Sequence, residues 1–320
     1  VAVYEMKLAS ILSKVESVEG TDVTPAAGDG FYATVGPIPS PAEFVRNENK
    51  SGKGSMLPGV IGPRRWQGIP VSVNLRGSGA AYSASVKPKA DAMLRMSGFQ
   101  AAGTYTGGSE KWDYTFRSDA FESFSNYIYR AGKLYKALGA RAGGSIRLPV
   151  GGFATLQGQL QGLYALPTDV ALVAVTGEPT IGYPILLSSA FQIGSENFAA
   201  KHGEITLDFG RRIVARGDGT AASGYAGMQM LGDRAPTISF EAEQTTEAGY
   251  GFWTKLMAGT QMDCSFTLGT TQYNKAVFTI PAFQFERIEE SEREGIAMYR
   301  ASGLLVSPGG LDDELTISFN

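Results

Sequence analysis

The chain has 320 residues, 43% of them apolar and 18% charged, and its 28 Lys and Arg against 31 Asp and Glu leave a net charge of −3, enough apolar material for one large core or two modest ones. One histidine, His202, and one cysteine, Cys264, exclude intrachain disulfides, Cys/His zinc sites and any metal cage that needs two imidazoles. With 41 Gly, 11% aromatics, no run of 18 apolar residues and no signal-like opening, the texture points to many short strands and tight turns.

Residues 36–65 hold Pro37, Pro39 and Pro41 together with Arg46, Lys50, Lys53, Arg64 and Arg65, and read as a long loop that a partner would have to order. Val71, Val73 and Leu75 then alternate with Ser72, Asn74 and Arg76, a half-buried strand opening just after Pro70. A helix is predicted over 88–97, with Pro88 suited to a first turn, Ala92, Met93 and Met96 at helical spacing, and Gly98 as its stop. Trp112, Tyr114 and Phe116 mark another strand, and the runs on either side of Ala131-Gly132 read as a hairpin. Gly177, Pro179, Gly182 and Pro184 cluster at a boundary that divides the chain into units 1–176 and 177–320.

In the second unit, Ile205, Leu207 and Phe209 alternate with Glu204, Thr206 and Asp208, and residues 216–234 form the second long loop. Pro236 opens a strand in which Ile238, Phe240 and Ala242 alternate with Ser239, Glu241 and Glu243. A helix over 247–258 carries Phe252, Trp253, Leu256 and Met257 as one stripe and ends at Gly259, while Gly249 and Gly251 weaken its first turn. Leu315, Ile317 and Phe319 close the chain as a strand.

The same order of elements thus occurs twice: a strand after a proline, one helix, further strands, and a Gly-Leu pair, Gly162-Leu163 and then Gly303-Leu304. This suggests duplication of one β-rich unit. The prolines lie 166 residues apart, the post-helix glycines 161 and the Gly-Leu pairs 141, so the first unit carries extra residues, assigned to the aromatic stretch 112–129. Charge divides along the same line. Residues 1–160 carry 18 Lys and Arg against 12 Asp and Glu, a balance of +6, and residues 161–320 carry 10 against 19, a balance of −9. Such halves suit each other as electrostatic partners, or the basic one suits nucleic acid.

Catalytic vocabulary is scarce. His202 reads as a turn residue, Gly77-Ser78-Gly79 as a structural turn without the third glycine of a dinucleotide loop, and Cys264 as a buried, inert thiol. The carboxylates of 286–294, broken by Arg287 and Arg293, read as a solvated loop or hairpin tip. No cofactor or metal is expected, and the chain does not read as an enzyme.

Several segments resemble the major tail tube proteins of long-tailed bacteriophages: Lys14-Val-Glu-Ser-Val-Glu-Gly-Thr-Asp22 with Pro25, Asp233-Arg-Ala-Pro-Thr-Ile-Ser-Phe-Glu241, Phe278-Thr-Ile-Pro-Ala-Phe-Gln284, the Glu294-Gly295-Ile296 turn, and Asp312-Asp-Glu-Leu-Thr-Ile317. The proline-rich stretch after Gly36 and the aromatic insertion before Tyr129 depart from that pattern. The resemblance implies a mainly β fold: two tandem β-sandwich or barrel units, each with one flanking α-helix, whose strands join neighbours into a closed ring. Rings would stack into a hollow tube in the virion tail, assembled in the host cytoplasm, that conducts DNA without sequence-specific binding. Its partners would be other copies of itself, a tape-measure protein and tail terminator proteins, with no membrane insertion. A chain holding two units would need only three copies to make a pseudo-hexameric ring, with basic and acidic halves alternating around it.

A DNA conduit should not hold phosphates, so its lining should lean neutral or acidic. Glu241 and Glu243, with Asn74 and Arg76 in the matching strand, are the residues expected to face the lumen. Arg46, Lys50, Lys53, Arg64 and Arg65 are the candidates for contacts between stacked rings. The alternative reading is a β-sandwich that binds carbohydrate or another ligand through Trp66, Trp112 and surface tyrosines. An outer-membrane barrel fits less well, because two internal helices do not suit it.

Overall fold

A computed structural model describes residues 9–49, 57–186, 191–198, 202–221 and 223–320. The strong alternations set the framework, because a strand with one apolar face is fixed in register by the core that face must enter. The main sheet has eight antiparallel strands in the spatial order Thr34–Val35, Arg65–Asn74, Thr155–Tyr164, Lys133–Leu148, His202–Asp208, Thr237–Glu243, Ile296–Leu305 and Ala276–Arg293. The first four belong to the stretch before residue 177 and the last four follow it. They meet where Ser145–Leu148 pairs with Ile205–Asp208.

Ala276–Arg293 is long enough to serve two sheets. Its second half ends the first sheet, and its first half enters a second one ordered Phe99–Thr104, Lys111–Phe116, Thr316–Phe319, Ala276–Arg293, Gln261–Leu268, Phe191–Ile193 and Glu196–Asn197. The C-terminal strand therefore joins the two parts of the chain in this layer as well. One buried cluster, with members from Ile11 to Phe319, fills the space between the sheets. Phe99 and Phe116 stack at 4.5 Å and meet Phe209 edge-on, so an aromatic from beyond residue 177 completes the core of the first part.

Local chemistry accounts for the connections. The Ala131-Gly132 turn holds φ of 50° and 75°, the left-handed pair a two-residue hairpin requires, between Phe124–Arg130 and Lys133–Leu148. The helices are shorter than predicted, Asp91–Met96 and Phe252–Ala258. Gly251 sits at φ 72° and ends the second helix's reach toward residue 247, while Gly98 and Gly259 at φ 87° and 59° terminate both as expected. Phe252 is buried, Trp253 and Leu256 pack against the core, but Met257 leaves the predicted stripe and is 79% exposed.

Four further expectations are corrected. Arg65–Asn74 begins before Pro70, which lies mid-strand opposite Gln159. The carboxylate run 286–294 is strand up to Arg293, and only Glu294-Gly295 is the turn. The first long loop contains a hairpin, Phe44–Asn47 with Leu57–Ile61, and the second is the turn and return strand of another, Arg211–Gly217 with Tyr225–Arg234. His202 opens a strand rather than forming a turn.

Candidate functional site

The main sheet buries one face and opens the other. Val73, Leu156, Ile146, Leu207, Ile238, Gly303 and Phe285 lie in one register line across seven strands, all buried. The adjacent line is Asn74, Thr155, Arg147, Thr206, Ser239, Ser302 and Arg287, every member polar. A single hydrophilic surface therefore runs without interruption from one part of the chain to the other.

Three of its arginines are paired. Arg147 donates to Glu204 at 2.7 Å, and because Arg147 lies before residue 177 and Glu204 after it, this bridge spans the junction of the two parts. Arg300 donates to Glu241 at 2.7 Å and stands opposite Glu289 on its other side, while Glu289 also accepts from Arg287. The bond from Arg300 to Glu241 raises the pKa of this guanidinium above its ordinary value. Each of these three arginines has a carboxylate partner. On the first part's share of the face, Ser72, Asn74, Ser145, Gln157 and Gln159 present hydroxyls and amides.

Asn74, Glu241 and Glu243 share this side of the sheet, with Asn74 accepting a bond from Thr155 at 3.3 Å. Arg76 does not join them. It is 6% exposed, pairs with Glu178, donates to the carbonyl oxygen of Pro179 at 2.9 Å and lies over the Tyr183 ring at 4.6 Å. The segment after residue 177 folds over the end of its strand and removes Arg76 from any open lining. Among the basic candidates, Arg46 is exposed on the first hairpin, Arg64 is exposed at its base with its backbone N–H bonded to the Ser223 carbonyl at 2.7 Å, and Arg65 stacks over Tyr225 at 5.1 Å. Lys50 and Lys53 lie outside the described residues. Trp66 and Trp112 are both buried, their indole N–H groups donating to the carbonyls of Lys136 and Val86, so they present no stacking surface to a sugar.

Other residues fasten the framework in ways spacing could not show. Glu16, only 8% exposed, accepts four bonds at 2.8 Å, from the N–H of Gly20 and Gly139 and the hydroxyls of Ser123 and Ser125. Glu19 takes a two-pronged contact from Arg141 at 3.0 and 3.2 Å. Burial works to raise the Asp22 carboxyl, but bonds from Tyr127, Lys136 and the Thr24 N–H override it and hold the group below its usual value. The only sequence signal for these roles is their three-residue spacing in one N-terminal segment.

A second knot ties the C-terminus to the first part. Arg234 donates to Asp312 and Glu314, both at 2.7 Å, and to Ser118 at 2.9 Å. Beside it, burial and the charge of Arg234 lower the Arg211 guanidinium to about 10. Arg211 spends its donors on the carbonyls of Gly98 and Arg117 at 3.2 and 2.7 Å. Cys264 is buried, and desolvation pushes its thiol well above the ordinary value, which keeps it inert.

A cleft of about 530 Å³ opens beside the polar face, lined by Ser72, Ser145, Gln157, Gln159, Asp208 and Arg211 among others. Among the described residues no cluster of three or more His, Cys, Asp or Glu could hold a metal ion, and no helix is long and apolar enough to cross a membrane. The arrangement offers an extended polar surface, continuous across strands, with Arg147, Arg287 and Arg300 each paired to a carboxylate. No curated protein matches the chain. A family model described as phage tail tube protein matches residues 7–319, nearly the whole length, and with it the β-rich architecture and the sequence segments agree: the chain belongs to the phage tail tube protein family, structural components of the virion tail.

Proposed function

We propose that the chain consists of two tandem tube units and that three copies close into a ring, each contributing its eight-strand sheet to the wall of a bore through which DNA leaves the virion. The polar face carries this reading: with Arg147, Arg300 and Arg287 each held by a glutamate, the lining that includes Asn74, Glu241 and Glu243 offers passing phosphates no unpaired arginine from this set.

Ring closure follows from the edges. Within the chain, Ile205–Asp208 of the second unit pairs with Ser145–Leu148 of the first. Beyond this junction each end of the sheet stops at an open edge, Thr34–Val35 on one side and residues 286–293 on the other, neither paired outward among the described residues. Exposed edges invite another chain. Repeating the internal junction between copies would pair them, as units alternate around the ring. The corresponding steps of the two units support this: each runs through an edge or junction strand, a hairpin, a core strand, one helix and, later, a pair of long strands.

Stacking of rings falls to the projecting hairpins, with Arg46, Lys50, Lys53, Arg64 and Arg65 as the basic candidates. A tape-measure protein filling the bore before ejection and terminators at the tube ends are the partners this role requires, with assembly in the host cytoplasm. Electron cryo-microscopy of the purified protein tests the proposal. Hollow filaments with three copies per ring are expected, whereas six full-length chains per ring, or monodisperse monomers at high concentration, would overturn it.

A further inference from the structure

The two hairpins occupy the same place in their units but live in different surroundings. The second, Arg211–Gly217 with Tyr225–Arg234, is clipped onto the first unit. Its Met228 and Met230 are buried, and a Cβ on Gly98, just past the first helix, would meet the Met230 sulfur at 2.7 Å. Arg211 donates to the carbonyls of Gly98 and Arg117, and Arg234 donates to the Ser118 hydroxyl. At its far end the Ser223 carbonyl accepts from Arg64, and Tyr225 lies under Arg65.

The first hairpin, Phe44–Asn47 with Leu57–Ile61, has no buried residue among its described strands. Phe44 pairs with Ile61 and Val45 with Val60, all four more than half exposed, so apolar pairs stand on both of its faces. A two-stranded hairpin with nothing beneath it is marginal in water, and four exposed large apolar side chains on one need a cover. The second unit meanwhile leaves the matching place bare: Met257, beside the Gly259 that ends the second helix, is 79% exposed. Sequence charge agrees with this match. Residues 36–65 carry five Lys and Arg against two Glu, and residues 284–294 carry five Glu against two Arg.

We infer that the first hairpin clips onto the second unit of a neighbouring copy in the same ring, its apolar pairs covering the Met257 end of the second helix as Met230 covers the Gly98 end of the first. The inference rests on the tandem-unit ring proposed above. Each lateral junction then has a strand pairing and a hairpin clip, one junction inside the chain and one between chains.

The test combines Val60→Cys with Met257→Cys in the full chain, assembled into rings and treated with a flexible bismaleimide, the native Cys264 being buried. A covalent ladder on a denaturing gel that stops at three chains is the expected result, because lateral links close on themselves. Links that run past three chains place the hairpin on the adjacent ring and overturn the inference, as does the absence of links in well-formed rings. Phe44→Ser with Val60→Ser gives a second reading. The isolated chain should keep its melting temperature while rings require at least about tenfold more protein to form, a shift of roughly 1.4 kcal/mol. Unchanged assembly by this variant defeats the hairpin clip and leaves the ring standing, whereas wild-type protein that forms no rings defeats the ring reading itself and the clip with it.

Discussion

Reversing the charge of the lining should turn a smooth conduit into a brake. Glu241→Lys with Glu243→Lys introduces two cations per chain and takes from Arg300 the carboxylate it now holds at 2.7 Å, so three unpaired cations appear where the wild-type face presents none of these. Each phosphate neutralised adds about 0.9 to the slope of log affinity against log salt. If one chain engages three phosphates the slope is about 2.7, and DNA is held roughly 40-fold more tightly at about 50 mM than at about 200 mM salt. Every ring repeats the effect along the tube. The assay is receptor-triggered DNA release from particles carrying the variant, followed with a DNA-binding dye across that salt range. Release should be slow at low salt and recover as salt rises, with Glu241→Gln plus Glu243→Gln falling between, since it frees only Arg300. Wild-type release at low salt from particles with normal tubes would refute the assignment of this face to the bore.

Three further outcomes follow from the framework. Glu16→Ala removes the acceptor of four bonds, three of them buried, and should cost about 3–5 kcal/mol in urea unfolding of the single chain, and a loss below about 1 kcal/mol would mean that water replaces the carboxylate. Gly303→Ala drives a methyl into the Phe283 ring and the Gln284 carbonyl, so it should destabilise by about 1–3 kcal/mol, whereas Gly151→Ala, open around its Cβ but at φ 70°, should cost only its backbone strain. The Asp312 carboxyl, raised by burial but lowered further by Ser118 and Arg234, sits below its unfolded value, so its contribution is complete above about pH 4 and fades as pH falls through the lowered folded value. Asp312→Asn should therefore weaken the protein at neutral pH and flatten its acid-unfolding limb. An unchanged limb would show that the carboxylate titrates alike in both states.

What could be read in the sequence depended on whether a segment buries one face. Residues 71–75, 112–116 and 238–243 announce themselves by alternation because the core selects every second side chain, and Ala131-Gly132 supplies the turn their neighbours need. The strands inside 36–65 were illegible for the opposite reason. Phe44–Asn47 buries nothing, so no periodicity is imposed on it, and the prolines and glycines around it mimic a loop. The polar face was legible at Asn74, Glu241 and Glu243, whereas the fate of Arg76 was set by Glu178, about a hundred residues on, and no local pattern encodes such a partner. Glu16, Glu19, Asp22 and Arg234 were missed on the same ground, since their partners are distant in the chain.

The spacing mismatch between the two proposed units also has a physical explanation. Pro70 lies half-exposed on the open side of its strand and Pro236 is buried, so the two prolines occupy opposite faces and cannot mark equivalent positions, whatever their place before an alternating run. The glycines of the Gly-Leu pairs are better markers. Gly162 lies against Ala137, Leu138 and Ala140 beside a break in register at 138/141, and Gly303 lies against Phe283 and Gln284 beside one at 285/287, so in both places the neighbouring strand bulges over a position that tolerates no side chain. Measured from the post-helix glycines to these pairs, the first stretch is 20 residues longer than the second. The surplus matches Phe124–Arg130 and the first half of Lys133–Leu148, a hairpin with no counterpart where Ala276–Arg293 runs straight through. All three N-terminal acids fasten this region, Glu16 through Ser123, Ser125 and Gly139, Glu19 through Arg141, and Asp22 through Tyr127 and Lys136. The inserted hairpin and the N-terminal segment are therefore one device, and a chain shortened to resemble its second unit would leave three carboxylates without the donors that hold them.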